Sequence, residues 1–246
     1  MLKEPIKELE GKNVAIVAMG ESQLDYHLAV VHSQKFDEVW AINAMIGVIH
    51  NLDRAFIMDP VSRFFESEDA GTMTQLMREE LPNVKYPIYT CELDDRVPAL
   101  ELYPIEALVK DTQCGYINNT VAYAIAFALW NKVGAIRMYG VDFTYKGNLH
   151  FAESGRACVE FWLSKCMHAG IEVGIAQTST LLDTSIPIQE KLYGYHRLKD
   201  PLVPLIDNDK LIVKKASELQ YKRKTPDAML IGRHDNKTSP VEPNKW

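Results

Sequence analysis

Short, nearly unbroken apolar runs that each end in a polar residue do most to narrow the folds open to this chain. Val14-Ala15-Ile16-Val17-Ala18 is the first, leading into Met19-Gly20-Glu21-Ser22. Val39-Trp40-Ala41-Ile42-Asn43 and Ala55-Phe56-Ile57-Met58-Asp59 follow. A strand that is apolar along its whole length, without alternation, is buried on both faces, as strands of parallel sheets are. Stretches of helical character separate the runs, and two further strands follow near 136–141 and 171–175. One comes after the Ala-rich segment 121–130 and the other after a helix over 154–169. The alternation predicts an α/β fold: Rossmann-like, with a mostly parallel sheet and helices on both faces. Strands are expected near 14–18, 39–43, 55–58, 136–141 and 171–175. Ligands of such sheets bind outside the carboxyl ends of the strands, where the polar run-ending residues fall.

Other stretches are less regular. Residues 62–80 read as a mostly exposed helix, and 84–90 as a strand that Pro87 confines to the sheet edge. Residues 91–112 are acidic, carry prolines and lack a clear period, so a loop or lid over the site is expected there. After Leu182, prolines at 187, 201, 204, 226, 240 and 243 break the pattern. The expected organisation is a nucleotide-binding core over 1–183 and a C-terminal appendage over 184–246, basic and partly disordered, its last dozen residues above all. No apolar run approaches the roughly 20 residues of a membrane span. The opening Met1-Leu2-Lys3-Glu4-Pro5 lacks the apolar stretch of a secretory signal. Cys91, Cys114, Cys158 and Cys166 form no C-x-x-C pair and are expected as free thiols in a reducing cytoplasm.

Charge is unevenly spread. Residues 210–246 hold nine Lys or Arg against four Asp or Glu, a net +5, which leaves −11 on residues 1–209 out of −6 overall. An acidic body argues against nucleic-acid binding through the main domain. Lys214-Lys215 and Lys222-Arg223-Lys224 remain as a basic tail that an anionic partner would meet, although such runs are ordinarily just solvated.

Three places carry candidate chemistry. Gly20-Glu21-Ser22 joins a strand to a helix, and a helix N-terminus is a phosphate site through its unpaired N–H groups and positive dipole end. It matches neither glycine-rich phosphate signature, and Glu21 repels phosphate, so on its own it is an ordinary turn. Asn118-Asn119-Thr120 opens the Ala-rich helix. An N-cap accounts for it structurally, while paired amides also suit a base edge or a ribose. His150 lies in a loop before a helix, eight residues after strand-ending Asp142, where a neutral imidazole serves as a general base. A surface loop histidine is the commoner case. The other histidines show no metal-ligand spacing, so no zinc site is expected. Asp207-Asn208-Asp209 matches an acid-x-acid metal triplet in form, but follows no early core strand and reads as a turn after Pro204.

Together these stretches resemble the bacterial lipooligosaccharide sialyltransferases and, more loosely, the archaeal hydroxymethyl-dihydropterin pyrophosphokinases. The family's Gly-Asn-Gly-Pro-Ser-Leu turn corresponds to Ala18-Met19-Gly20-Glu21-Ser22-Gln23. Its nucleotide-contacting asparagine falls on Asn43, and its Asn-Pro-Ser on Asp59-Pro60-Val61. Its Ile-Thr-Ser-Gly-Val, Ala-rich helix and Gly-Ile-Asp-Phe-Tyr match Ile117 to Val121 and Gly140-Val141-Asp142-Phe143. The spacing from His150 to Glu160-Phe161 equals that from the family's histidine to its Glu-Phe pair. Thr178-Ser179-Thr180-Leu181-Leu182 resembles its Pro-Asn-Ser-Leu-Leu. The match spans about residues 13–183. Met19, Glu21, Asp59 and Asn118-Asn119 depart from the pattern, all at positions of nucleotide recognition.

The resemblance implies a glycosyltransferase that moves a group from a nucleotide donor, expected to be a nucleotide sugar, to an acceptor hydroxyl. It assigns His150 as general base and Tyr145 to the departing phosphate. Gly20, Glu21, Ser22, Asn43, Asp59, Asn118, Asn119, Thr120 and Asp142 become nucleotide-binding residues. No metal or other cofactor is required, and a homo-oligomer is expected. Two alternatives stay open. One is a Mg²⁺-dependent pyrophosphokinase acting on a small hydroxymethyl compound, using Glu21, Asp59 and Asp142. The other is a non-catalytic nucleotide-binding protein, since a fold hosts many functions.

Overall fold

The computed structural model describes residues 2, 4–68, 71, 73–144, 148–208 and 210–219. The chain divides into two compact units, Met1–Ser185 and Ile186–Trp246. The first is built on strands β1 (Asn13–Val17), β2 (Glu38–Ile42), β3 (Arg54–Phe56), β4 (Ile88–Thr90), β5 (Leu100–Leu102), β6 (Ala135–Tyr139) and β7 (Glu172–Ile175). They form one sheet in the order β5-β4-β3-β2-β1-β6-β7, and every neighbouring pair is parallel. The chain steps outward from β1 to β5, then crosses back to lay β6 on the other side of β1. The direction of winding therefore reverses between β1 and β6, the switch point at which such sheets hold ligands.

Helices cover both faces, which is why the strands read as continuous apolar runs. Val14 and Ile16 point into one cluster with Trp40, Phe56 and Phe127. There lie α4 (Ile105–Thr112), α5 (Thr120–Trp130) and α6 (Leu149–His168). Ala15 and Val17 point the other way, toward Tyr26 of α1 (Leu24–Val31), Phe64 of α2 (Ser62–Glu66) and Met77 of α3 (Thr74–Glu80). The alanines of α5 let it approach the sheet closely, and the Phe127 ring meets Trp40, Phe56 and Tyr89 at centroid distances of 5.7, 5.5 and 4.6 Å.

Four expectations are corrected. Residues 62–80 hold two helices, α2 and α3, with Phe64 and Met77 buried. Pro87 does not place its strand at the edge: β4 lies between β3 and β5, because Pro87 precedes the strand and contributes only its carbonyl, which accepts from Ala55 N at 3.0 Å. Residues 91–112 are no lid, since they contain β5 and α4. Helix α6 starts five residues earlier than 154, because the Asn148 side chain caps it by accepting from Phe151 N at 3.2 Å.

The second unit contains an antiparallel hairpin of β8 (Leu202–Asp207) and β9 (Lys210–Lys215). Asp207-Asn208 opens its turn, with Asn208 at φ +50°. Asp209, Lys222-Arg223-Lys224 and the last dozen residues lie outside the described residues. All four cysteines are free thiols. Among the described residues no helix is long and apolar enough to cross a membrane.

Candidate functional site at the carboxyl edge of the sheet

The ends of β1 and β6 are tied to each other. Ala18 N donates to Tyr139 O at 2.8 Å and Gly20 N to Gly140 O at 2.7 Å. Ser22, buried, accepts from Gly140 N on its hydroxyl at 3.0 Å, and its own N–H donates to Asp142 Oδ2 at 2.8 Å. Two glycines permit this approach: a Cβ on Gly20 would collide with the Asp142 carboxylate, and one on Gly140 with the Ala18 carbonyl. Gly140 also sits at φ +69°, in the left-handed region that favours glycine. Phe143 follows at φ +44°, a strained value for a bulky residue. The loop after β7 steadies the segment, with the Ser179 hydroxyl on Val141 O at 2.7 Å and that of Thr180 on Asp142 O.

Two adjoining pockets open on this edge. The smaller, of about 220 Å³, is lined by Met19, Gly20, Asn43, Gly140, Asp142 and Phe143, among others. The larger, of about 470 Å³, is lined by Asn43, Asp59, Asn118, Asn119 and Thr120, with Tyr123, Phe143 and Phe151 as aromatic walls. Ile42, Asn43, Val121 and Phe143 belong to both. Asp142 is only 7% exposed. Its Oδ1 and the Oδ1 of Asn43 are buried without a hydrogen-bond partner in the protein. A buried acceptor left unpaired is costly. Asn43 and Asp142, which carry these two acceptors, line the same pocket.

The larger pocket closes where α5 and α6 meet. The Asn119 side chain caps α5, accepting from Ala122 N at 2.9 Å. Its Nδ2 donates to Asn118 Oδ1 at 2.8 Å and to Gly155 O at 3.2 Å, while Asn118 Nδ2 donates to Ser154 O at 3.1 Å. Both amides therefore hold α6 against α5, and capping, not a base edge, is what Asn119 does here. Gly155 makes room for Phe143, whose ring a Cβ at 155 would crowd at 2.8 Å. Thr120 and Tyr123 offer hydroxyls at the α5 N-terminus. Burial pushes the Tyr123 phenol up, and the neighbouring Cys91 adds to the shift, so the phenol stays protonated and able to donate.

The remaining expected residues divide. Glu21 is exposed and lines neither pocket, and Ser22 acts behind the wall. His150 is not in a loop but is the second residue of α6, exposed, one turn before Ser154 on the same helix face. It lines neither pocket, yet its neighbours Phe151 and Ser154 line the larger one. Tyr145 lies outside the described residues. Asp59 pairs with Arg63 at 3.3 Å, both side chains more than half exposed, a pair worth little in stability. Among the described residues no three His, Cys, Asp or Glu gather to hold a metal ion, Glu21, Asp59 and Asp142 included. Sequence reasoning missed Tyr123, Phe143, Phe151 and Ser154 as pocket walls. The aromatic next to strand-ending Asp142 was the available signal for Phe143.

The topology defines a Rossmann-like α/β protein with two adjoining pockets at the carboxyl edge of its sheet. No protein-family model matches the chain, and no curated protein matches it. Among solved structures it is similar to the sialyltransferase CstII of Campylobacter jejuni in complex with a substrate analogue, CMP-3FNeuAc. That match has 16% identity over 89% of this chain and 97% of that one, with a TM-score of 0.44. A point mutant of CstII, described as an alpha-2,3/8-sialyltransferase, matches at 16% identity over 89% and 99%, with a TM-score of 0.45. An alpha-2,3-sialyltransferase of the same organism in apo form matches at 13% identity over 94% and 98%, with a TM-score of 0.41.

Proposed function

We propose that this chain is a nucleotide-sugar-dependent glycosyltransferase that works without a metal-bound phosphate, in a cytoplasm that keeps its cysteines reduced. The observation that carries this is the pair of buried, unpaired acceptors, Asn43 Oδ1 and Asp142 Oδ1, in one pocket at the switch point. They suit the hydroxyl or amino donors of a nucleoside. The donor's phosphate belongs at the α5 N-terminus, where free N–H groups and the positive dipole end stand beside the Thr120 and Tyr123 hydroxyls. The transferred sugar then occupies the rest of the larger pocket. His150, one turn from Ser154, takes the acceptor's proton as the bond to the sugar forms. Tyr145, as the family resemblance implies, donates to the leaving phosphate.

The first test is binding. Cytidine, uridine, guanosine and adenosine monophosphates are screened by thermal shift with EDTA present, and at least one is expected to raise the midpoint. No shift with any of them at millimolar concentration would sink the proposal. The second test concerns the base. General-base catalysis is worth about 10²–10⁴ in rate, so His150→Ala should lower single-turnover transfer at least about a hundredfold. Its exposed side chain leaves thermal midpoint and nucleotide affinity unchanged. A folded mutant of full activity removes His150 from the mechanism.

A further inference from the structure

A separate cavity of about 840 Å³ lies at the other ends of α5 and α6. α5 gives Thr120 and Val121 to the larger carboxyl-edge pocket and Leu129 and Trp130 to this cavity. α6 gives Ser154 and Gly155 to the former, and Phe161, Lys165 and His168 to the latter. Among the described residues none lines both. The volume falls within the roughly 300–1,000 Å³ of small-molecule sites.

Its walls combine apolar rings with cations. Leu129, the Trp130 indole and the Phe161 ring supply the apolar surface, and Phe161 is 40% exposed. The Trp130 indole N–H donates to Asp111 Oδ2 at 2.8 Å, which fixes that ring and occupies one oxygen of the acid in the lining. The Lys165 ammonium stands 5.9 Å from the centre of the Phe161 ring and 5.8 Å from that of Trp162, within cation–π range. It has three donors and spends one on Thr112 O at 3.4 Å. Lys132 and His168 complete the basic set. Cations at helix carboxyl ends ordinarily cap the last carbonyls, but turn amides already do so here. Leu129 O accepts from Lys132 N at 3.0 Å, Cys166 O from Ile171 N at 3.0 Å and Met167 O from Gly170 N at 3.1 Å. Among the described residues, no ion pair or hydrogen bond engages the side chains of Lys132 and His168.

We infer that this cavity is a second ligand site, and that it takes a small amphipathic anion, a flat apolar body bearing one acidic group. The body lies against Leu129, Trp130 and Phe161, and the acidic group meets the ammonium groups of Lys165 and Lys132. A hydrogen bond between two charged groups is roughly twice as strong as a neutral one, so the acidic group sets both affinity and orientation. The inference is independent of the donor-site assignment, with which it shares no lining residue among those described.

Titration calorimetry on the full chain tests it with 2-naphthoate and its neutral twin, 2-naphthylmethanol. The carboxylate is expected to bind at least about tenfold tighter than the alcohol. Lys165→Met keeps an apolar stem against the rings and removes the charge, so it should weaken 2-naphthoate about tenfold and leave the alcohol unchanged. Lys132→Gln, at an exposed residue, should act in the same direction, and it carries the test if Lys165→Met lowers the thermal midpoint. Ser164→Trp, exposed on α6 and part of the lining, should fill the cavity and abolish binding of both probes. The inference is overturned if 2-naphthoate fails to bind at millimolar concentration, or if the alcohol binds as tightly. It is overturned equally if 2-naphthoate binds Ser164→Trp, or a folded Lys165→Met and Lys132→Gln, as well as it binds the unaltered chain.

Discussion

The two ends of the β1–β6 seam use the same devices and finish differently. At the amino end, Gly11 N donates to Lys132 O at 3.0 Å and Gly134 N to Lys12 O at 2.9 Å, and a Cβ on Gly134 would crowd the Gly11 carbonyl. A buried amide completes that end: Asn131 Oδ1 accepts from Ile6 N at 2.6 Å and Nδ2 donates to Phe127 O at 2.8 Å. At the carboxyl end Gly20 and Gly140 make the same close approach, but Asp142 spends one oxygen on Ser22 N and keeps the other unpaired. Asn13 Oδ1 also lacks a protein partner at the amino end. It is a single acceptor there, against the pair that shares one pocket at the other edge. Close-packed glycines are thus a requirement of the seam itself, found at both ends. Unsatisfied acceptors gathered in a pocket are what distinguish the carboxyl end.

Three substitutions put that contrast at risk. Gly140→Ala should have the largest effect, since the new Cβ meets the Ala18 carbonyl at a left-handed φ. A loss of more than about 3 kcal/mol is expected in urea denaturation, and a near-neutral result would mean the seam is looser than its hydrogen bonds indicate. Asn131→Ala leaves the Ile6 N–H and the Phe127 carbonyl without their side-chain partner. It should cost about 1–3 kcal/mol of stability while nucleotide affinity holds. Asp142→Asn is the smallest and most telling change. The amide oxygen still accepts from Ser22 N, so stability should move by less than about 1 kcal/mol, whereas nucleotide affinity falls about tenfold as the free acceptor is lost. If Asp142→Asn instead behaved like Asn131→Ala, destabilising without touching binding, the two ends would be functionally alike.

Strands β1, β2, β3 and β6 were legible because each has buried apolar residues on both faces, which leaves a continuous run in the chain, while the edge strand β7 was legible from half-buried Val173 and Ile175 alone. β5 and α4 were not. Leu100–Leu102 is three residues long with Glu101 at its centre, and α4 has eight residues following Pro104, too short for a period to stand out. Gly20, Asn43, Asp59 and Asp142 could be placed along the pocketed edge in advance because each falls at or just after a strand end. Phe143, Phe151 and Ser154 could not be named, since their presence there depends on where Asn148 starts α6 and how that helix lies against α5.

Local pattern therefore determined the class of fold, five of its strands and the strand-end residues, since burial on two faces and turn chemistry are written within a few positions of each residue. Tertiary structure alone decided the rest: that Asn118 and Asn119 donate to carbonyls 36 positions away, and that Ser22 takes one oxygen of Asp142 across 120 positions and leaves the other free. Whether a polar group is satisfied depends on partners brought close by packing, and no spacing along the chain encodes that distance.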